Sequence, residues 1–191
     1  MTKIVAFAGS LRAGSYNKKL LAVAVDAARA AGTEVTVVDL RELALPLFDQ
    51  DLEDASGLPD GAKRFKALLR EADGLLIASP EYNSSITAAL KNAIDWASRA
   101  ESDDEPPLVA FKGKAAALLA ASPGALGGLR GLVTVRSILG NLGVLVLPDQ
   151  VAIPSAHEAF DDAGKLKDER KAKQVARLAS ALVALAAKLK G

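Results

Sequence analysis

The 191-residue chain contains no cysteine, which excludes disulfides, thiolate nucleophiles and Cys-ligated metals together. Histidine is nearly absent too. The only one, His157, falls in an irregular late stretch and reads as a surface residue rather than a proton donor. Aromatics make up 4% of the residues, a scarcity that suits helices packed on a buried sheet better than a β-sandwich. Net charge is also missing: the balance of +1 gives no strong pull toward nucleic acid or an anionic membrane. The opening apolar run, residues 4–8, is too short for a signal peptide or a membrane span, so the expected location is cytoplasmic. Without a secretory signal, the sequon Asn83-Ser84-Ser85 is a chance match.

What the chain does have is apolar content and alternation. Half of its residues are hydrophobic, enough to close a substantial core in one domain spanning residues 1–191. Short β-type runs are expected at 4–8, 34–40, 74–79, 114–121 and near 144–147, with helices over about 16–31, 61–71, 86–99 and 127–142. Gly32 is placed to end the first helix. In the last helix Val175, Leu178, Ala179, Leu182, Leu185, Ala186 and Leu189 recur at three- and four-residue steps, forming one apolar face suited to docking on a sheet. Residues 43–60 are read as irregular, 101–107 as an acidic surface loop, and 165–173 as a charged, solvated run preceding the last helix. Leu75-Leu76-Ile77-Ala78 and residues 115–121 are continuously apolar, as strands buried on both faces must be. Fivefold strand–helix alternation predicts an α/β three-layer sandwich: a five-stranded parallel sheet with helices on both faces.

Ligands of such sheets bind beyond the carboxyl ends of the strands. Three unusual segments fall there: residues 9–17, 79–85 and 122–130. In the first, Ser10 and Ser15 supply hydroxyls, Asn17 an amide and Arg12 a forked positive charge, while Gly9 and Gly14 let the backbone come close. A helix starting near Tyr16 adds its free N–H groups and positive dipole end. An ordinary strand-to-helix turn capped by Ser15 would not call for all of these together, so a phosphate site is favoured. Gly-Lys-Ser/Thr and Gly-x-Gly-x-x-Gly are both absent, which turns the reading from nucleoside triphosphates and dinucleotides to a single monophosphate. Asp39 reads as a strand-end residue rather than a ribose-binding acid. The second segment is stiffened by Pro80 and carries groups that can edge a flat heterocycle. The third holds Gly124, Gly127 and Gly128, whose backbone N–H groups could meet a flavin's pyrimidine edge; a plain glycine-rich turn is the open alternative.

The motifs Gly9-Ser10-Leu11-Arg12-x-x-Ser15-x-Asn17, Pro80-Glu81-Tyr82-Asn83 followed by Leu90-Lys91-Asn92-Ala93-Ile94-Asp95-Trp96, and Ser122-x-Gly124-x-x-Gly127-Gly128 stand in one order along nearly the whole chain. In this the sequence resembles the NAD(P)H-dependent FMN reductases of flavodoxin-like fold, a group that includes quinone, chromate and azo-dye reductases. The resemblance implies that Ser10, Arg12, Ser15 and Asn17 hold an FMN phosphate with Tyr16 beside it. It places Pro80, Glu81, Tyr82 and Asn83 along the ribityl chain and ring, with Ser122 and Gly124 on the ring's other side. It further implies NAD(P)H as co-substrate and a homodimer or homotetramer, for which Ala88, Ala89 and Trp96 offer either interface or core packing. No catalytic acid, base or metal ligand is assigned. An electron-carrying flavodoxin is disfavoured by the near-neutral charge, and a non-catalytic FMN sensor by the lack of any output element.

Overall fold

The computed structural model describes residues 1–190, and its centre is a five-stranded sheet. The strands are β1 (Lys3–Ala8), β2 (Glu34–Asp39), β3 (Gly74–Ala78), β4 (Ala115–Ala121) and β5 (Leu145–Ile153), and the helices are α1 (Tyr16–Ala30), α2 (Gln50–Ser56), α3 (Asp60–Glu71), α4 (Ala88–Ala97), α5 (Leu129–Asn141) and α6 (Glu169–Leu189). The strand order is β2-β1-β3-β4-β5 and every neighbouring pair is parallel, the arrangement of a flavodoxin-like fold. After β1 the chain winds outward to β2, then crosses back to β3. That reversal opens a crevice beyond the carboxyl ends of β1 and β3.

The period of two along each strand divides the core into two layers. Ile4, Ala6, Ala8, Leu76, Ala78, Ala117 and Leu119 pack with the apolar faces of α1 and α6. Val5, Phe7, Leu75, Ile77, Ala116, Leu118 and Ala120 pack with α3, α4 and α5. Strands β3 and β4 are buried at every position, in keeping with their unbroken apolar sequence.

The expected elements are present, with several displaced boundaries. Strand β5 runs on to Ile153, past Pro148, where a four-residue expectation stopped. Its ladder with β4 slips between Ala116 and Leu118, so the proline sits at an irregularity of an edge strand, where a missing N–H does no harm. The stretch 43–60 is not wholly irregular, because α2 forms within it, capped by Asp49 accepting from the Asp51 N–H at 2.9 Å. Not one residue of α2 is buried, so it left no apolar period to read. The charged run 165–173 does not simply precede the last helix, since α6 begins at Glu169 under an Asp168 cap. Trp96 lies wholly inside the chain's own core, its Nε1–H donating to the Pro46 carbonyl at 2.9 Å and its ring edge-on to Phe48. Among the described residues, no helix is long and apolar enough to cross a membrane.

Candidate functional site

Each of the three loops continues the sheet before turning away. The Gly9 N–H donates to the Ala78 carbonyl at 2.9 Å, the Ser79 N–H to Leu119 at 2.8 Å, and the Ser122 N–H to Ile153 at 3.1 Å. The loops therefore leave a rigid edge side by side. Between them lies a crevice lined by Ser10, Arg12, Ser15, Tyr16, Asn17, Pro80, Glu81, Tyr82, Ala121, Ser122 and Pro123. Asn83 and Gly124, also expected at the site, sit on the same loops outside this lining.

A larger cleft lies on the flank between α1 and β2, with Leu21, Val25, Val37 and Val38 in its wall. Size does not make it the site. The crevice is where three loops bring hydroxyl, amide and guanidinium groups onto one helix N-terminus.

The first loop gathers hydrogen-bond donors and positive charge at the start of α1. Ser15 caps α1, its Oγ accepting from the Lys18 N–H at 3.4 Å, and Ser10 Oγ accepts from the Arg12 N–H at 3.3 Å. Both serines are buried, and each hydroxyl proton remains free to point at a ligand. The first turn of α1, like those of α4 and α5, contains no acidic residue, whereas α2, α3 and α6 each carry one or two there. Two lysines, Lys18 and Lys19, follow instead, so no acidic residue in its own first turn offsets the positive end of this dipole. Arg12 is exposed, and among the described residues no carboxylate lies within ion-pair distance of its guanidinium.

Other residues hold the loop in place, and sequence reasoning did not find them. Arg41 donates from Nε to the Leu11 carbonyl at 2.7 Å and reaches the same oxygen with Nη2. Thr87 Oγ1–H donates to the Gly9 carbonyl at 2.5 Å while capping α4 through the Leu90 N–H. Lys18 pairs with Asp39 at 2.6 Å. Burial pushes the Asp39 carboxyl up, but the bonds from Lys18 and Arg41 outweigh that and leave it below the usual carboxylate value. These contacts join residues 21 to 78 positions apart, a distance over which no local pattern operates.

Two expected ligands carry structural duties as well. The Asn17 amide bridges α1 to the end of β4, donating to the Ala121 carbonyl at 2.8 Å and accepting from the Ala121 N–H at 3.0 Å. Its second amide proton remains for the crevice. The Glu81 carboxylate is turned onto α5, accepting from the Arg130 and Gly131 N–H groups and from the Arg130 guanidinium. Burial raises its pKa, yet those bonds prevail and hold it below the ordinary glutamate value.

The glycines also divide by role. A Cβ on Gly9 would stand 2.9 Å from Leu90 Cβ, so this glycine serves packing against α4 rather than approach to a phosphate. Gly127 and Gly128 have φ of 62° and 90°, and Cβ atoms there would meet the Ile153 backbone at 2.6 Å and Ala120 Cβ at 2.8 Å. They fold the third loop down onto the strand ends. At Gly124 the nearest atom would be 3.7 Å away, so this loop leaves open space only beside that one of its three glycines.

Comparison with known proteins shows the family. The family model described as NADPH-dependent FMN reductase matches residues 2–158. The chain is similar, at 39% identity over 190 residues, to an NAD(P)H-dependent FMN reductase of Pseudomonas aeruginosa, covering 99% of this chain and 97% of that one. It is 40% identical over 194 residues to an NAD(P)H:quinone oxidoreductase of Solanum tuberosum, covering 99% and 95%. The fold matches the flavoenzyme NAD(P)H:(acceptor) oxidoreductase FerB of Paracoccus denitrificans with a TM-score of 0.81, at 30% identity and 98% coverage of both chains. With the match spanning most of the chain and all three loops, the protein belongs to the NADPH-dependent FMN reductase family of flavin oxidoreductases.

Proposed function

We propose that the crevice binds one FMN per chain and that the enzyme passes the reducing equivalents of NAD(P)H through it to quinones and related acceptors such as chromate, azo compounds, ferric chelates or free flavin. The observation that carries this reading is the acid-free first turn of α1 beside Ser10, Arg12 and Ser15, a donor set that fits a phosphate monoester. The Gly-Lys-Ser/Thr run that a triphosphate would use is not in the sequence.

Bound FMN would supply the redox chemistry, taking hydride from NAD(P)H and returning electrons to the acceptor. The chain's own residues bind and orient. Ser10 and Ser15 hydroxyls, the second Asn17 amide proton and the α1 amides would hold phosphate oxygens, and Arg12 would neutralise their charge, with Tyr16 alongside. The stacking of Tyr16 on Phe160, with ring centroids 6.5 Å apart and planes 5° from parallel, stiffens that side. Pro80, Tyr82 and Asn83 would edge the ribityl chain and ring from the second loop, and Ser122 and Gly124 from the third. No side chain is assigned as acid or base. His157 is half-exposed, lies outside the crevice lining and faces Glu158 at 3.5 Å.

Residues 1–191 would form a single cytoplasmic flavodoxin-like domain working as a homodimer or homotetramer. Exposed Tyr82, Leu126, Leu129 and Val133 favour self-association beside the crevice, with Leu129 and Val133 one turn apart on the same face of α5.

The test is direct. Purified protein reconstituted with FMN should be yellow, hold one FMN per chain, and oxidise NADH or NADPH only when a quinone or similar acceptor is present. A folded protein that takes up no FMN removes the proposal; one that takes it up but turns over neither nucleotide is a carrier instead.

A further inference from the structure

We propose that Glu81 governs flavin binding as a positioning residue, locking the turn after β3 to the first turn of α5 and so fixing the separation of the second and third loops. The inference rests on the FMN reading above.

Both carboxylate oxygens are spent within the protein. Oε2 accepts from the N–H groups of Arg130 at 2.9 Å and Gly131 at 3.1 Å, and Oε1 accepts from the Arg130 guanidinium at 2.9 and 2.7 Å. The Glu81 side chain is 9% exposed while that of Arg130 is 59% exposed, so the carboxylate is the sheltered half of the pair. Glu81 nevertheless belongs to the crevice lining.

Helix α5 lacks any local substitute. Its N-cap is Gly128, which has no side chain, and its first turn holds no acid. Glu81 supplies from 49 and 50 positions earlier the acceptor and the negative charge that a helix start needs. Space has been left for it: a Cβ on Gly131 would lie 3.1 Å from the Ser85 carbonyl and 3.3 Å from Glu81 Cβ.

The segment that Glu81 holds is itself closed. Tyr82 and Ser85 exchange N–H···O bonds of 2.9 and 3.0 Å, with Asn83 at φ 52° and Ser84 at φ 64°. Two positive φ values make a two-residue turn of the primed type, which moves as one unit. Fixing Glu81 therefore fixes Tyr82, whose exposed ring stands at the crevice rim. On the other side, α5 follows directly from the loop that carries Ser122 and Gly124. The tether sets the gap into which a planar ring must slide.

FMN titration of the apoprotein by flavin fluorescence, with wild type, Glu81→Ala, Arg130→Ala and the double variant, tests this. Glu81→Ala should weaken FMN binding about tenfold, as expected for a lost charged hydrogen-bond set. Adding Arg130→Ala to it should weaken binding little further, because the two act as one unit. Glu81→Gln keeps an acceptor for the two N–H groups and should fall between wild type and Glu81→Ala, which also covers failure of the alanine variant to fold. Hydrogen exchange on the apoproteins is the second readout: in Glu81→Ala, or in Glu81→Gln to a smaller degree, residues 82–85 and 130–131 should lose protection together while β1 and α1 keep theirs. FMN affinity within twofold of wild type, or losses for Glu81 and Arg130 that multiply independently, overturns the tether. Failure of wild type to bind FMN overturns the flavin reading instead, and the exchange result still decides whether the tether exists.

Discussion

At the scale of single residues, the loop 9–17 separates into groups left free at the crevice and groups that hold the loop. Arg12 is exposed and has no carboxylate partner within reach among the described residues, so its removal should leave the apoprotein's stability unchanged. Ser15 caps α1, and its loss should lower stability by about 1 kcal/mol. Both should weaken FMN, and the double variant Arg12→Ala/Ser15→Ala should lose the most, since charged hydrogen bonds contribute about 1.5–3 kcal/mol each. Riboflavin, which lacks the phosphate, should bind the variants and wild type alike. Parallel titrations with the two flavins check this, and equal losses for both would place the phosphate elsewhere. Gly9 shows how a residue can be correctly singled out for a mistaken reason. Its bareness is required by Leu90 and Pro80 in the next layer of the protein.

At the scale of elements, the segment that follows Pro80-Glu81-Tyr82-Asn83 is explained by packing on 44–49. On α4, Asn92 accepts from the Phe48 N–H at 2.8 Å and donates to the Pro46 carbonyl at 2.8 Å, joining Trp96 on the same carbonyl. Helix α3 is tied just as firmly. Lys66 is 1% exposed, donates to the Arg99 carbonyl at 2.6 Å and pairs with Glu105, which also receives Arg70 at 3.5 Å. The acidic stretch 101–107 is thus more than a solvated loop, because its Glu105 neutralises a buried lysine. Glu105→Ala should destabilise the protein by about 3 kcal/mol, the order of effect for stranding one partner of a buried pair. A urea midpoint that does not move would mean that the Arg99 carbonyl and Glu101, whose Oε1 lies 3.5 Å from Lys66 Nζ, suffice. Activity per folded molecule should be preserved, because none of these residues lines the crevice.

For the whole molecule, the charge pattern sets the response to acid. In Asp39, Asp73, Glu81 and Glu105, burial pushes the carboxyl pKa up, but bonds from lysine, arginine and backbone N–H groups prevail and leave each below its ordinary value. A carboxyl with a depressed native pKa takes up its proton first in the unfolded chain. The stabilisation is therefore complete above ordinary carboxyl values of about 4 and drains away as pH falls through the native ones. Urea midpoints should be flat from about pH 7 to 5 and drop steeply below about pH 4. Glu105→Gln should make that drop shallower, and a midpoint that rises on acidification would contradict the assignment.

The alternation of strands and helices, the burial of β3 and β4, and the gathering of the three loops at one sheet edge could be taken from sequence because each is a short-range pattern of apolar or loop-forming residues. Ser10, Arg12, Ser15 and Asn17 fall within nine consecutive positions, so their common place in the crevice lining was legible too. Helix α2 escaped because it buries nothing, and the extent of β5 because Pro148 ordinarily ends a strand away from an edge. What only the tertiary structure decided was which polar groups are already engaged. Whether Glu81 faces a ligand or a helix, whether Trp96 is core or surface, and what Arg41 and Thr87 hold depend on contacts 30 to 78 residues apart. Local periodicity carries no record of such contacts, because they exist only once the sheet has brought the loops to a common edge.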